Sequence, residues 1–285
     1  MTGLKNIYKN FMHFAEKNPL YLICTVIYFR VTSWLIGWSW RFLIFFLITY
    51  ALSQAVAFSI LGEKLLRLLN HIRRLESSKE KEYLRPLFQE VYNKAKDNNP
   101  ELEKIDIYIT DSAVVNASAV GKHTVAVTKG AIHTLSEEQL KAMMAHEIAH
   151  IVNTDTAAMI YAMVGNGIFS AIVLAFKLIC WIIGFIWNGN RKRNFIEVIA
   201  DWIVSVFLFL MTILMALSDR KAELRADEYT VTLGYGEDMV EALYLLEKIS
   251  LGKDRSITEK LLARHPRVTR RIENLEVRLG VQEGE

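Results

Sequence analysis

The sequence contains His146, Glu147 and His150 in the pattern His-Glu-x-x-His, inside a segment predicted to be helical. Residues four positions apart lie on one face of a helix, so both imidazoles can reach a single metal ion. Neutral imidazole is a common zinc ligand, and the intervening glutamate is placed to take a proton from water that the metal activates. Apolar residues surround the motif, where two histidines without a partner would be poorly placed. The pattern therefore predicts a hydrolytic metal site rather than a solvated helix face.

A third protein ligand is expected, because catalytic zinc usually has three protein ligands and one water. Residues 151–155 contain no further histidine, so this ligand must come from elsewhere in the chain. The best candidate is Glu223, which is followed one helical turn later by Asp227. One carboxylate would bind the metal, and the other would accept a hydrogen bond from a ligand imidazole. The alternative interpretation is that these acidic residues form only a charged helix face.

Apolar residues are concentrated in four long stretches of the chain. Overall, 52% of the residues are hydrophobic and the mean hydropathy is +0.19. Because about 20 apolar residues match the thickness of a bilayer, these stretches predict a multi-pass membrane protein. The alternative is that some are buried core helices, above all the first and the fourth, which contain charges. The four stretches comprise residues 19–38, 42–61, 157–187 and 195–217.

A short β region precedes the histidine motif. Ile105, Ile107 and Ile109 alternate with other residues, which is the two-residue period of a half-buried strand. Residues 114–119 and 124–127 could pair with that strand. The predicted fold class is accordingly mainly α with a small β-hairpin or sheet.

Helices are expected over most of the polar segments. Ser136 and Gln139 form a predicted capping box at the start of the motif helix. Apolar spacing also predicts helices over 63–75 and 86–96. Four regions follow from this pattern: a membrane anchor hairpin at 1–62, a first catalytic part at 63–156, a second membrane hairpin at 157–217 and a second catalytic part at 218–285.

The two predicted ligand helices adjoin apolar stretches. His150 lies seven residues before position 157, and Glu223 lies six residues after position 217. At a rise of about 1.5 Å per residue, each ligand would be roughly 10 Å from the bilayer boundary. The sequence therefore predicts a site that acts on chains close to the membrane surface.

The order of these features resembles the HtpX family of bacterial membrane zinc peptidases, relatives of the prenyl-protein (CAAX) endopeptidases. The resemblance covers nearly the whole chain and implies a gluzincin-like catalytic domain with one zinc ion per chain. The zinc would be held by His146, His150 and Glu223, with Glu147 as the general base and Asp227 hydrogen-bonded to a ligand.

Two further motifs carry the same resemblance. Asn116-Ala117-Ser118-Ala119-Val120-Gly121 is similar to the family's Asn-Ala-x-Ala-x-Gly, an edge strand that pairs with the substrate backbone. His265-Pro266 and Arg271 are similar to a His-Pro…Arg element whose members are candidates to stabilise the oxyanion. An ordinary hairpin strand, a helix cap and a surface arginine are the alternatives.

The sequence departs from the family pattern at two positions. Asp219 stands where the family commonly has serine, and Arg264 stands where threonine or serine usually precedes His-Pro. Neither is a predicted ligand, so the departures bear on substrate preference more than on the chemistry.

The resemblance implies an endopeptidase that acts on misfolded or damaged membrane proteins, within protein quality control and the stress response. A peptidase dedicated to one lipidated or signal-derived peptide is an alternative, as is a membrane chaperone with a structural metal. The chaperone is disfavoured because three ligands beside a glutamate leave one coordination position open. Nucleic acid is not an expected partner, since the net charge of +3 is mild and the basic residues cluster beside the apolar stretches.

Basic residues also predict the topology in the bacterial cytoplasmic (inner) membrane. Lysines precede the first apolar stretch and a basic cluster at 64–74 follows the second, which places both on the cytoplasmic side with the catalytic helices. Arg191, Lys192 and Arg193 argue against this arrangement, because they lie between the third and fourth stretches. An active site that faces the cytoplasm agrees with more of the basic residues. The alternative is that the second pair of stretches, within 157–217, does not fully span the membrane.

Overall fold

The computed structural model describes ten ranges and positions of the chain. They are residues 7–8, 11–12, 14–16, 19–36, 40–172, 175, 179, 182, 221–250 and 268–280. The chain divides into two compact units, one formed by 1–65 with 157–215 and the other by 66–156 with 216–285.

The first unit contains the apolar helices α1 (Pro19–Ile36) and α2 (Trp40–Ala57). It also contains a π-helix over Ile160–Gly165. The hydroxyl oxygens of Tyr50 and Tyr161 are 2.6 Å apart, and this contact joins α2 to the π-helix. Among the described residues, no helix has both the length and the apolarity needed to cross a membrane. The predicted stretch 195–217 lies outside the described residues.

A helix and a short strand replace the single helix predicted over 63–75, so that prediction is wrong beyond residue 69. Helix α3 (Ile60–Leu69) ends in a turn where His71 has a φ of 53°, and strand β1 (Ile72–Arg74) follows. Helix α4 (Ser78–Asn98) then begins at a capping box formed by Ser77 and Glu80, well before the start predicted at residue 86.

The second unit contains the predicted small sheet. Strands β2 (Asp106–Thr110) and β4 (Thr124–Thr128) are parallel neighbours at its centre. Strand β1 pairs antiparallel with β2, and β3 (Ala117–Val120) pairs antiparallel with β4. Among the described strands the order is β1-β2-β4-β3, so β3 lies at one edge.

The motif helix packs within the core beside this sheet. After α5 (Lys129–Thr134), helix α6 (Glu137–Val152) starts at the predicted capping box of Ser136 and Gln139, which the structure confirms. Leu140, Met144 and Ile148 of α6 are fully buried. A buried stripe at this spacing fixes the rotation of the helix, and therefore the direction in which its histidines point.

Helix α6 is followed directly by α7 (Asp155–Met159). The later helices of the second unit, in the part of the chain that the structure describes, are a helix over residues 221–232 that we call α8, α9 (Gly236–Ser250) and α10 (Val268–Leu279). The turn after α8 contains Gly234 at a φ of 82°, a conformation that favours glycine. Leu243 of α9 and Leu275 of α10 are fully buried in the same core as α6. This packing brings α8 and α10 to the face of α6 that presents the motif.

Candidate active site

The three predicted metal ligands converge between α6 and α8. The Nε2 atoms of His146 and His150 are 3.2 Å apart. Glu223 approaches both rings, with its Oε2 atom 3.2 Å from His146 Nε2 and its Oε1 atom 3.4 Å from His150 Nε2. The two imidazole rings are nearly perpendicular, at 89°. Two nitrogens and a carboxylate oxygen thus point at one small volume.

These donor separations fit a single zinc ion. Ligand atoms about 2.0–2.1 Å from a tetrahedral centre are about 3.3–3.4 Å from one another. His146 and Glu223 are each 4% exposed, so metal and solvent would reach the site from the side of His150, whose side chain is 14% exposed. Glu147 is half-buried beside the ligands on the same helix.

A buried carboxylate and a buried arginine hold the ring of His146 in position. Asp227 is fully buried, and its Oδ1 atom lies 3.0 Å from His146 Nδ1. Arg271 donates to both oxygens of Asp227, at 2.8 and 2.6 Å, and its Nη1 atom is 3.0 Å from Glu223 Oε2. Burial raises the pKa of Asp227, but hydrogen bonds to His146 and Arg271 outweigh it and lower that pKa overall. Asp227 is therefore an ionised acceptor.

Of the two predicted oxyanion donors, only Arg271 lies within the described residues. Its guanidinium faces Asp227 and Glu223, so in this structure it orders the carboxylates. His265 lies outside the described residues.

Asp155 was missed as a site residue by the reasoning from sequence. Its Oδ2 atom is 3.1 Å from His150 Nδ1, and its Oδ1 atom accepts a hydrogen bond of 2.9 Å from Arg225 on α8. The available signal was a carboxylate five residues after His150, just beyond the end of the helix. Helical spacing does not place position 155 beside position 150, and the turn that does so depends on a left-handed residue at Thr154.

The carboxylates of Asp155, Glu223 and Asp227 stabilise positive charge at the site. Burial lowers the pKa of His150, but hydrogen bonds to Asp155 and Glu223 raise it overall to about 10. Burial and the charge of Arg271 lower the pKa of His146, yet Asp227 and Glu223 produce a net rise. The same carboxylates that favour a proton favour a metal cation in its place.

The predicted substrate-binding segment lies at the sheet edge formed by β3. The carbonyl oxygen of Asn116 accepts a hydrogen bond of 3.0 Å from the amide of Thr128, which extends the β3–β4 register by one residue beyond the pair of Ala117 and Val127. Hydrogen-bonded pairs alternate along antiparallel strands, so Ser118 also points its backbone groups at β4. The backbone groups of Ala117 and Ala119 therefore point away from β4, toward the edge. Both alanines are buried, at 7% and 8% exposure, with side chains in the core that contains α6.

Comparison with known proteins decides the family of this chain. Residues 78–279 match the family model described as Peptidase family M48. The chain belongs to peptidase family M48. The matched segment contains the motif helix, Glu223 and Arg271, and the family identifies the chain as a metalloprotease.

Individual relatives in this family are HtpX proteases, which confirms the resemblance inferred from the motifs. "Protease HtpX homolog" of Methylacidiphilum infernorum is 29% identical over 227 residues, which cover 70% of this chain and 74% of that protein. "Protease HtpX" of Stenotrophomonas maltophilia (strain K279a) is 27% identical over 59% of this chain and 64% of the relative. "Protease HtpX homolog" of Persephonella marina is 35% identical over 46% of this chain and 44% of the relative. The chain thus spans less than two thirds of several relatives.

The fold is similar to that of a solved structure. The crystal structure of Ste24p from S. mikatae aligns with a TM-score of 0.52 and 19% identity, and covers 94% of this chain and 64% of that protein. At this level of identity the similarity concerns the fold.

Proposed function

We propose that this M48 metalloprotease is a membrane-integrated zinc endopeptidase that cleaves misfolded or damaged membrane proteins near the cytoplasmic membrane surface. The observation that carries the proposal is the convergence of His146, His150 and Glu223 on one volume beside Glu147. Two nitrogens and one oxygen at tetrahedral spacing favour zinc, and three protein ligands leave one position for water and substrate.

In this proposal Glu147 moves the proton. When bound, the zinc ion would polarise the scissile carbonyl and lower the pKa of water at the site. Glu147, one position along α6 from His146, takes the proton of the attacking water and delivers it to the leaving amine. Asp227 and Arg271 hold His146 and Glu223 in place during this transfer, through the hydrogen bonds described above.

Substrate would bind along β3 as an added strand. The outward amide and carbonyl groups of Ala117 and Ala119 offer hydrogen bonds to an extended polypeptide, independently of its side chains. Recognition through the backbone suits unfolded chains of varied sequence, which favours a quality-control substrate over one dedicated peptide. Asn116 and Ser118, which flank Ala117, are the nearest side chains able to contribute polar contacts.

Membrane integration is supported by the surface of the first unit. Helices α1 and α2 expose many large apolar side chains, a surface that water solvates poorly and lipid solvates well. Examples are Ile23 and Ile27 of α1 and Ile48 and Leu52 of α2, each more than 50% exposed. Lys64 and Arg74, both exposed after α2, agree with a cytoplasmic placement of the segment that follows.

Purified protein in detergent tests the proposal. Wild type should contain about one zinc ion per chain and should degrade denatured casein at many positions, and a chelator should abolish the cleavage. The variant Glu147→Gln should retain the metal and lose about 10²–10⁴-fold in turnover, the contribution of a general base. Glu228→Gln, an exposed position on α8, is the matched control and should keep full activity. Equal turnover of Glu147→Gln and wild type would remove Glu147 from this role, and cleavage of casein at a single site would favour a dedicated processing peptidase.

A further inference from the structure

We propose that Asp155 and Arg225 are positioning residues that fix the ring of His150 and tie it to the helix that supplies Glu223. One oxygen of Asp155 lies 3.1 Å from His150 Nδ1, and the other accepts a 2.9 Å hydrogen bond from Arg225. Arg225 lies only two residues after Glu223 on α8. A single carboxylate thus contacts groups from both ligand helices.

The turn that carries Asp155 is built to hold this position. Helix α6 ends at Val152, and the amide of the C-cap residue Asn153 donates to Ala149 O at 2.8 Å. Thr154 then adopts a φ of 61°, a left-handed conformation that is unfavourable for a β-branched residue. Strain of this kind costs about 1–3 kcal/mol and persists only where the surroundings enforce it. Here Thr156 fixes the far side of the turn, because its hydroxyl donates to Gly121 O at 2.8 Å.

The chemical consequence concerns which nitrogen of His150 is free to bind a metal. An acceptor at Nδ1 keeps the proton on that nitrogen and leaves the lone pair of Nε2 pointing at Glu223 and His146. His146 has the same arrangement, since Asp227 contacts its Nδ1 atom and Arg271 donates a hydrogen bond to Asp227. Each ligand histidine therefore has its own carboxylate and each carboxylate its own arginine. The difference is that Arg271 is buried, whereas the side chain of Arg225 is 50% exposed.

This inference rests on the proposed metal site, and a metal titration tests the two separately. The probe is Co²⁺, whose visible absorption reports the number and geometry of its ligands, added to the metal-free full-length protein in detergent. The variants are Asp155→Asn, Arg225→Ala and the double variant. Arg278→Ala is the matched control, because Arg278 also forms an ion pair from a surface arginine to a carboxylate of α8, Glu228, at 2.6 Å and 41% exposure.

Asp155→Asn should weaken Co²⁺ binding by about 10–100-fold and alter the absorption band, since the support of a metal ligand is lost. Arg225→Ala should weaken binding by less than Asp155→Asn, and Arg225→Lys should recover part of that loss. The double variant should match Asp155→Asn, because Arg225 acts through Asp155. Arg278→Ala should bind Co²⁺ like wild type.

The outcomes separate the two proposals. If wild type does not bind Co²⁺ tightly, the metal-site proposal fails. If wild type binds but Asp155→Asn has the same affinity and spectrum, the inference is overturned, even where the melting temperature of the variant falls. If Arg225→Ala behaves like Arg278→Ala, the link between the two ligand helices is overturned.

Discussion

Replacing Asp227 by asparagine should weaken both the fold and the proposed metal site, because this fully buried carboxylate joins three helices. It lies on α8, contacts His146 of α6 at 3.0 Å and accepts two hydrogen bonds from Arg271 of α10, at 2.6 and 2.8 Å. Asparagine has the same shape, so the change removes a charge and one acceptor oxygen without opening a cavity.

The expected cost in stability follows from the burial of Arg271, which is 5% exposed. Removing one partner of a buried ion pair typically costs about 3–5 kcal/mol, because the remaining charge is left without compensation. Arg271 keeps its 3.0 Å contact with Glu223, so we expect the lower end, about 3 kcal/mol. In a domain the size of the second unit, formed by 66–156 and 216–285, a loss of about 3 kcal/mol corresponds to a fall in melting temperature of roughly 6–12 °C. Loss of the acceptor at His146 Nδ1 should also weaken metal binding by about 10–100-fold.

Thermal unfolding in detergent, with and without added zinc, measures the first effect, and competition with a chelating dye measures the second. Glu228→Gln is the control, because Glu228 follows Asp227 on α8 but forms an exposed ion pair with Arg278. Such pairs contribute about 0–1 kcal/mol, so this variant should melt within a few degrees of wild type. If Asp227→Asn melted like Glu228→Gln and bound zinc like wild type, the supporting role of Asp227 and Arg271 would be refuted.

Three further perturbations test other parts of the structure. Ala119→Pro removes the amide that faces away from β4 and is proposed to bind the substrate backbone, so it should lower kcat/KM about 2–12-fold, the value of one hydrogen bond. Ser118→Pro removes an amide that points at β4 and should instead lower the melting temperature. Arg73 lowers the pKa of Glu80 to about 2, so this carboxylate stabilises the fold above its ordinary pKa and the effect is lost as the pH falls toward 2. Glu80→Gln should therefore be about 1 kcal/mol less stable than wild type at pH 7 and equal to it near pH 2, as measured by denaturant unfolding; a difference that persists near pH 2 would contradict this. Thr154→Gly should raise the melting temperature by relieving the left-handed strain, whereas an equal or lower value would show that the turn is unstrained.

The sequence by itself determined the local geometry of the candidate active site. The spacing of His146, Glu147 and His150 is a property of one helix, so it is set by residues a few positions apart. The capping box at Ser136 and the alternation in β2 are local in the same sense, and the structure contains both elements. Glu223 could be proposed because the chemistry of zinc demands another ligand.

Only the tertiary structure decided the surroundings of that centre. The apolar spacing of α3 continues through Ile72, yet residues 72–74 form a strand because they pair with β2 more than thirty residues away. The edge position of β3 depends on the order of strands in the sheet, which no single segment encodes. Asp155 reaches His150 through the backbone conformation of Thr154, and Arg271 reaches Asp227 because α8 and α10 pack in one core. Contacts between distant segments arise from the packing of all the elements together, so local periodicity could not place these residues.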